Sequence, residues 1–143
     1  MKASFHHAGI VVPDLDAGIA FYQNLLDLKE QFRQEWNTTS PVVEDVINLK
    51  DSAAKYVMLG GDGFNVELFE YSAPEPAGDP ATRRPCDPGI RHIGFAFDDI
   101  KAACDRLIEG GGTMHHGPVR LGTTWAIYCR DPFGNIVELM QTE

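Results

Sequence analysis

The feature that most constrains this chain is an internal repeat. His7-Ala8-Gly9-Ile10-Val11-Val12-Pro13-Asp14-Leu15 aligns without a gap on His92-Ile93-Gly94-Phe95-Ala96-Phe97-Asp98-Asp99-Ile100, a constant offset of 85 from position 7 to position 92. Each copy opens with a histidine on a strand pattern and runs straight into a helical one. The closing phrases match as well, Val66-Glu67-Leu68 for the first copy and Val137-Glu138-Leu139 for the second. One module used twice is the reading, and two histidines and two glutamates then occupy equivalent places in related halves. That is the pattern of a metal site on a pseudo-twofold axis.

Taken in order, Phe5 to Val12 reads as a strand stopped by Pro13, with Asp14 as N-cap of a helix whose apolar stripe is Leu15, Ile19, Tyr22, Leu25 and Leu26. Leu28 to Trp36 follows as a charged strand suited to a sheet edge. Val42 to Leu49 is open between a helical turn and irregular structure. Ala54 to Leu59 and Phe64 to Tyr71 form a hairpin across Gly60-Gly61-Asp62-Gly63. Residues 72–88 hold five of the nine prolines and read as an extended linker. The second copy predicts a strand over Ile90 to Phe97 and a helix from Asp99 to Ile108 that stops at Gly110-Gly111-Gly112. Strands over Thr113 to His116, Thr123 to Arg130 and Asn135 to Gln141 follow, the last two joined by Asp131-Pro132-Phe133-Gly134.

The expected fold class is therefore α+β: two tandem β-α-β-β-β modules, eight strands and two helices in one domain over residues 1–143, with module one at 4–71, the linker at 72–88 and module two at 89–143. His7 and Glu67 are 60 positions apart, whereas His92 and Glu138 are 46 apart, so the insert around 37–48 lengthens the first half. Loops carry such insertions and often carry substrate choice.

Strand alternation places His7 and Gly9, and likewise His92, Gly94 and Ala96, on one face, with Ile10 and Val12, or Ile93, Phe95 and Phe97, on the other. The bulky side packs under the helix, and the histidine side keeps small neighbours and room. Glu138 alternates with Ile136 and Met140, away from Val137 and Leu139. Histidine and glutamate are expected to face a hollow.

Composition excludes several classes. A hydrophobic share of 43% with 23% charged residues is the balance of a globular protein. A net charge of −9 argues against nucleic acid and anionic membrane as partners. Three cysteines without a Cys-x-x-Cys indicate neither a disulfide framework nor a thiolate zinc site, and Cys104 and Cys129 read as buried structural thiols. No apolar run approaches a membrane span and no signal-peptide pattern opens the chain, so the cytoplasm is expected. A small-molecule substrate is the expected partner. If it is anionic, Arg83, Arg84, Arg91, Arg120 and Arg130 are the candidate cations.

The doubled β-α-β-β-β module with its strand-opening histidine and strand-closing glutamate resembles the vicinal oxygen chelate superfamily, over essentially the whole chain. That superfamily includes glyoxalase I, methylmalonyl-CoA epimerase, the extradiol dioxygenases and the fosfomycin and bleomycin resistance proteins. Gly117-Pro118, Gly122-Thr123-Thr124 and Asp131 through Leu139 are especially similar to bacterial glyoxalase I. Two features depart from it: the first-strand arginine that holds the glutathione carboxylate there is here Val11, and the 37–48 insert and long linker differ.

The resemblance implies a cupped mixed sheet around one divalent metal ion, with His7, Glu67, His92 and Glu138 on the ligand positions, and a homodimer. Two imidazoles and two carboxylates suit Ni, Co, Zn, Mn or Fe. Such an ion makes the proton α to a chelated carbonyl acidic, and Glu138 or Glu67 is the candidate base. The expected activity is a glyoxalase-like or epimerase-like lyase or isomerase. Its rivals are an Fe(II) extradiol-type dioxygenase using His7, His92 and Glu138, and a non-catalytic small-molecule binder of the antibiotic-resistance kind. His6, His115 and His116 lack a repeat partner and read as surface residues. For Phe69 and Trp125, core filling is the default.

Overall fold

Each copy of the repeat forms a strand and then a helix for the same local reasons. Asp14 and Asp99 stand in extended conformation and accept hydrogen bonds from Ala17 N (2.9 Å) and Ala102 N (3.0 Å), satisfying first-turn donors. The first helical N–H of each is taken up from the sheet below: Leu15 N donates to Glu70 Oε2 at 2.8 Å, and Ile100 N to Gln141 Oε1 at 2.9 Å. The repeat thus extends to the contacts that seat the helices.

The computed structural model describes residues 1–143. Its fold is mixed α+β, with nine strands in two sheets and three α-helices. Two units are compact, Met1–Ala77 and Gly78–Glu143. The first holds β1 (Ala8–Val11), α1 (Leu15–Leu26), β2 (Lys29–Trp36), α2 (Pro41–Ile47), β3 (Ala53–Gly60) and β4 (Asn65–Ala73). Its sheet runs in the order β1-β4-β3-β2. The second unit holds β5 (His92–Ala96), α3 (Ile100–Glu109), β6 (Thr113–Met114), β7 (Val119–Leu121), β8 (Thr124–Arg130) and β9 (Ile136–Thr142). Its sheet runs β5-β9-β8-β6, and β7 also pairs with β8. In both units the opening strand lies parallel beside the closing strand. No helix is long and apolar enough to cross a membrane.

One face of each sheet is core. Val57, Leu59, Val66 and Leu68 are buried together with Leu15, Ile19, Tyr22 and Leu25 of α1. Ile127, Val137 and Leu139 are buried with Ile100, Ala103, Cys104 and Leu107 of α3. Each fully buried Leu or Val stabilises by roughly 1.5–3 kcal/mol, which fixes the register: a slip of one residue would turn these side chains out and the glutamates in. Cys104 and Cys129 are buried and free, as expected, and burial pushes the Cys129 thiol up to about 12.

The expected element list differs at three places. The stretch read as open at 42–49 is largely helix, α2, with Pro41 at its first position and no buried residue, so no apolar period announces it. The exposed three-residue β7 between Pro118 and Gly122 is too short to alternate, and β6 ends at Met114 rather than His116. In the 72–88 stretch, Ser72 and Ala73 complete β4 and Pro80–Thr82 form a 3₁₀ turn. Arg130 fixes that turn, donating to Pro80 O (3.0 Å), Arg83 O (2.6 Å) and Gly134 O (2.6 Å).

Candidate metal and substrate site

Parallel pairing builds the two histidine–glutamate pairs. Gly9 lies across from Glu67 and Gly94 across from Glu138, with each histidine two residues earlier on the same face. His7 Nε2 stands 3.2 Å from Glu67 Oε2, and His92 Nε2 stands 3.4 Å from Glu138 Oε2. The histidine side chains are 38% and 37% exposed and the glutamates 13% and 18%, so the two pairs are equivalent in burial as well as in position. Only at Gly94 does the missing side chain leave space that its pair needs. A Cβ on Gly94 would come within 3.1 Å of Glu138 Oε2, whereas on Gly9 the nearest atom would be Phe69 Cε2 at 3.5 Å.

Four of the sequence-predicted residues are thus brought together two by two. The chain gathers no group of three or more His, Cys, Asp or Glu side chains able to hold a metal ion. The donor chemistry of each pair does fit one. Two ligands about 2.1 Å from an ion and at right angles to each other stand about 3 Å apart, close to the nitrogen–oxygen separations here.

The contacts behind the two histidines differ. His6 Nδ1 lies 2.7 Å from His7 Nδ1, a hydrogen bond that orients the His7 ring and leaves Nε2 towards Glu67. His6 is exposed, as expected, yet it touches the candidate ligand, which its lack of a repeat partner concealed. In the second unit Tyr128 contacts the other ring nitrogen, the one that faces Glu138. It lies across from Glu138, its hydroxyl is 3.4 Å from His92 Nε2, and the two rings are 4.6 Å apart. The corresponding residue across from Glu67 is Met58.

Around Glu67 the sheet face is aromatic. Phe69 and Tyr71 follow at the alternate positions of β4, Tyr56 lies across from Phe69, and Ala54 lies between Trp36 and Tyr71 on the neighbouring strands. The small Ala54 lets Trp36 and Tyr71 meet, with ring centroids 5.6 Å apart. Phe69 therefore stands on the histidine–glutamate face and not in the core under α1. Trp125 is on the opposite side of its sheet from Glu138, in line with Gln141. Burial, and secondarily the Glu67 charge, raises the Tyr71 phenol above its ordinary value. Val11 is exposed at 45%, in line with Phe69.

Of the five candidate arginines, three have internal tasks. Arg84 pairs with Asp87 at 2.8 Å and holds its carboxyl below the ordinary value, Arg120 pairs with Glu143 at 2.7 Å, and Arg130 holds the 3₁₀ turn. His115 lines an open cavity with Pro85, Thr113, Tyr128, Arg130 and Ile136.

Such a duplicated module with a histidine and a glutamate in each half defines a class. The chain belongs to the glyoxalase/bleomycin resistance protein/dioxygenase superfamily, whose family model matches residues 4–139. It is 28% identical over 139 residues to a probable lactoylglutathione lyase of Vibrio cholerae, covering 96% of this chain and 89% of that protein. It is 30% identical over 146 residues to an ethylmalonyl-CoA/methylmalonyl-CoA epimerase of Cereibacter sphaeroides, covering 99% of each. Among solved structures, a glyoxalase family protein from Bacillus cereus matches with a TM-score of 0.89 at 20% identity, over 99% of this chain and 95% of that one. A fosfomycin resistance protein from Listeria monocytogenes, determined with Mn(II) and sulfate, matches with a TM-score of 0.65 at 19% identity, over 100% and 95%. These two sequence relatives carry the names of a probable lyase and of an epimerase, and the structural likenesses show the fold.

Proposed function

We propose that this chain is a metal-dependent lyase or isomerase that removes the proton α to a carbonyl of a small substrate. The observation that carries the proposal is the pair of equivalent His–Glu contacts, 3.2 Å and 3.4 Å, on corresponding strands of a duplicated module. His7, Glu67, His92 and Glu138 together would hold one divalent ion, a set of two nitrogens and two oxygens without sulfur. An ion so held supplies a Lewis acid for a carbonyl oxygen.

The remaining work belongs to the protein. Glu67 or Glu138 takes the α-proton on a carboxylate oxygen and returns it, to the opposite face for an epimerase or to the neighbouring carbon for an isomerase. His6 orients the His7 ring through Nδ1, and the Tyr128 ring packs against that of His92. Support also comes from the lyase and epimerase among the relatives and from the Mn(II) bound by the Listeria protein. Deuterium uptake at the α-carbon of 2-oxo acid and acyl-thioester probes tests this reading. Metal-dependent exchange that is lost in both Glu67→Gln and Glu138→Gln is expected; exchange at the wild-type rate in both variants would contradict it.

A further inference from the structure

Four rings stand beside Glu67 in a connected cluster that Phe32 extends, its ring 6.1 Å from that of Tyr56. Tyr56 and Phe69 are nearly parallel at 5.5 Å and 13°, and Phe69 and Tyr71 at 6.1 Å and 26°. Trp36 closes the cluster, with centroids 5.6 Å from Tyr56, 6.2 Å from Phe69 and 5.6 Å from Tyr71, at steep angles to all three. All these separations fall in the range where aromatic quadrupoles attract. Two polar tips are already engaged: Trp36 Nε1 donates to the buried Ser52 Oγ at 3.0 Å and the Tyr56 hydroxyl donates to Gln34 Oε1 at 2.5 Å. These bonds hold the rings in place while leaving apolar ring surface as the unfinished part of the cluster.

The core does not require these rings. Packing against α1 occupies the opposite face of the sheet; on this face Ala54 and Met58 are buried, and all four rings are only half-buried. Nor does the fold require them. In the second unit the pair across β8 and β9 that corresponds to Tyr56 and Phe69 is Ala126 and Met140, and Thr142 stands where Tyr71 does. The same sheet face folds there without a ring at any of the three places. Beside Glu67, Phe69 and Tyr71 the face continues in Phe32, Gln34 and Met58, and Val11 extends it with more exposed apolar surface.

We propose that Tyr56, Phe69 and Tyr71, with Trp36 as wall, form a ring-binding floor that selects substrates carrying a planar aromatic group next to their carbonyl. The assignment rests on the reading of His7 and Glu67 as part of the substrate site, since that reading brings a carbonyl to the edge of the floor. A small aliphatic 2-oxo compound would leave the floor bare, and an aryl-substituted one would cover it. The floor determines specificity, and none of its residues takes part in proton transfer.

The test uses the full chain loaded with Zn(II), in a Trp125→Phe background that leaves Trp36 as the only tryptophan. Phenylpyruvate and pyruvate are titrated by calorimetry, and Trp36 fluorescence is followed alongside. Phenylpyruvate is expected to bind about tenfold more tightly and to quench Trp36. Tyr56→Ala with Phe69→Met, which copies the second half, is expected to bring the two probes within about threefold of each other by weakening phenylpyruvate alone. Tyr71→Thr serves as an independent variant should the double variant unfold by circular dichroism. Equal affinities in the starting protein, or an unchanged ratio in the folded variants, would overturn the proposal. So would sedimentation showing that the substitutions split a dimer, because a second copy would then cover the rings. Removing the metal separates the two claims. Zn(II) that strengthens both probes equally while their ratio stays near ten supports both. An aromatic preference indifferent to Zn(II) supports the floor and counts against the metal site, and Zn(II)-dependent binding without preference overturns the floor alone.

Discussion

The two halves of this chain keep the same frame and put it to different use. In each, an aspartate caps the helix, a side chain of the closing strand takes the first helical N–H, and a histidine meets a glutamate across from a glycine. Around Glu67 that frame carries Trp36, Tyr56, Phe69 and Tyr71; around Glu138 it carries Tyr128, Ala126, Met140 and Thr142. What stayed alike is what seats the helices and presents the four donor groups. What diverged is the side-chain cover of the sheet face around each glutamate.

The sharpest way to break the comparison is to remove one carboxylate at a time. Glu67→Gln and Glu138→Gln are each expected to lower the α-proton exchange rate by about 10³-fold. A loss confined to one of them would make the halves functionally unequal. The closing turns should differ in stability instead. Buried Asp131 accepts from Phe133 N (3.0 Å), Asn135 N (2.8 Å) and Asn135 Nδ2 (2.8 Å), so Asp131→Ala should cost about 3 kcal/mol in denaturant unfolding. The first half closes its turn by a backbone bond, Gly61 N to Phe64 O at 3.1 Å, and Asp62→Ala, at an exposed position there, should change little.

A subtler asymmetry lies in the glycines. The Cβ of Gly94→Ala presses on Glu138 at 3.1 Å, and about a tenfold loss of metal affinity by calorimetry is expected. Gly9→Ala, with its nearest contact at 3.5 Å on a ring, should stay within about twofold. The caps should behave alike: Asp14→Ala and Asp99→Ala are each expected to cost about 1 kcal/mol, and values far apart would show that the equivalence stops at geometry. The smallest effect concerns pH. Burial raises the Cys129 thiol from its ordinary 9.0 to about 12, so the neutral form is favoured by folding. That contribution is complete below pH 9 and is lost as pH rises towards 12. Cys129→Ala should flatten the alkaline fall in denaturation midpoint over that window, even though it lowers the midpoint at neutral pH.

Much of this was legible in the residues. Repeat and alternation together give the two matched modules, the helix-covered faces and the histidine–glutamate face, because a two-residue period leaves each side chain only two directions. Less legible was whatever depends on strand pairing and its register. Tyr128 reaches His92 only through the β8–β9 register, and Trp36 joins the ring cluster only because Ala54 lies between it and Tyr71. One signal was present and passed over: Glu67, Phe69 and Tyr71 alternate on one strand, which already set Phe69 on the glutamate face. Helix α2 and strand β7 bury nothing and so left no periodic trace.

The central claim, that the two half-sites serve one metal centre, is tested most directly by metal stoichiometry. Inductively coupled plasma mass spectrometry on gently purified, untagged protein, alongside His7→Ala and His92→Ala, is the measurement. One divalent ion per chain, lost in both variants, is the predicted result. Two ions per chain with each variant losing one, or no ion even after reconstitution, would contradict it.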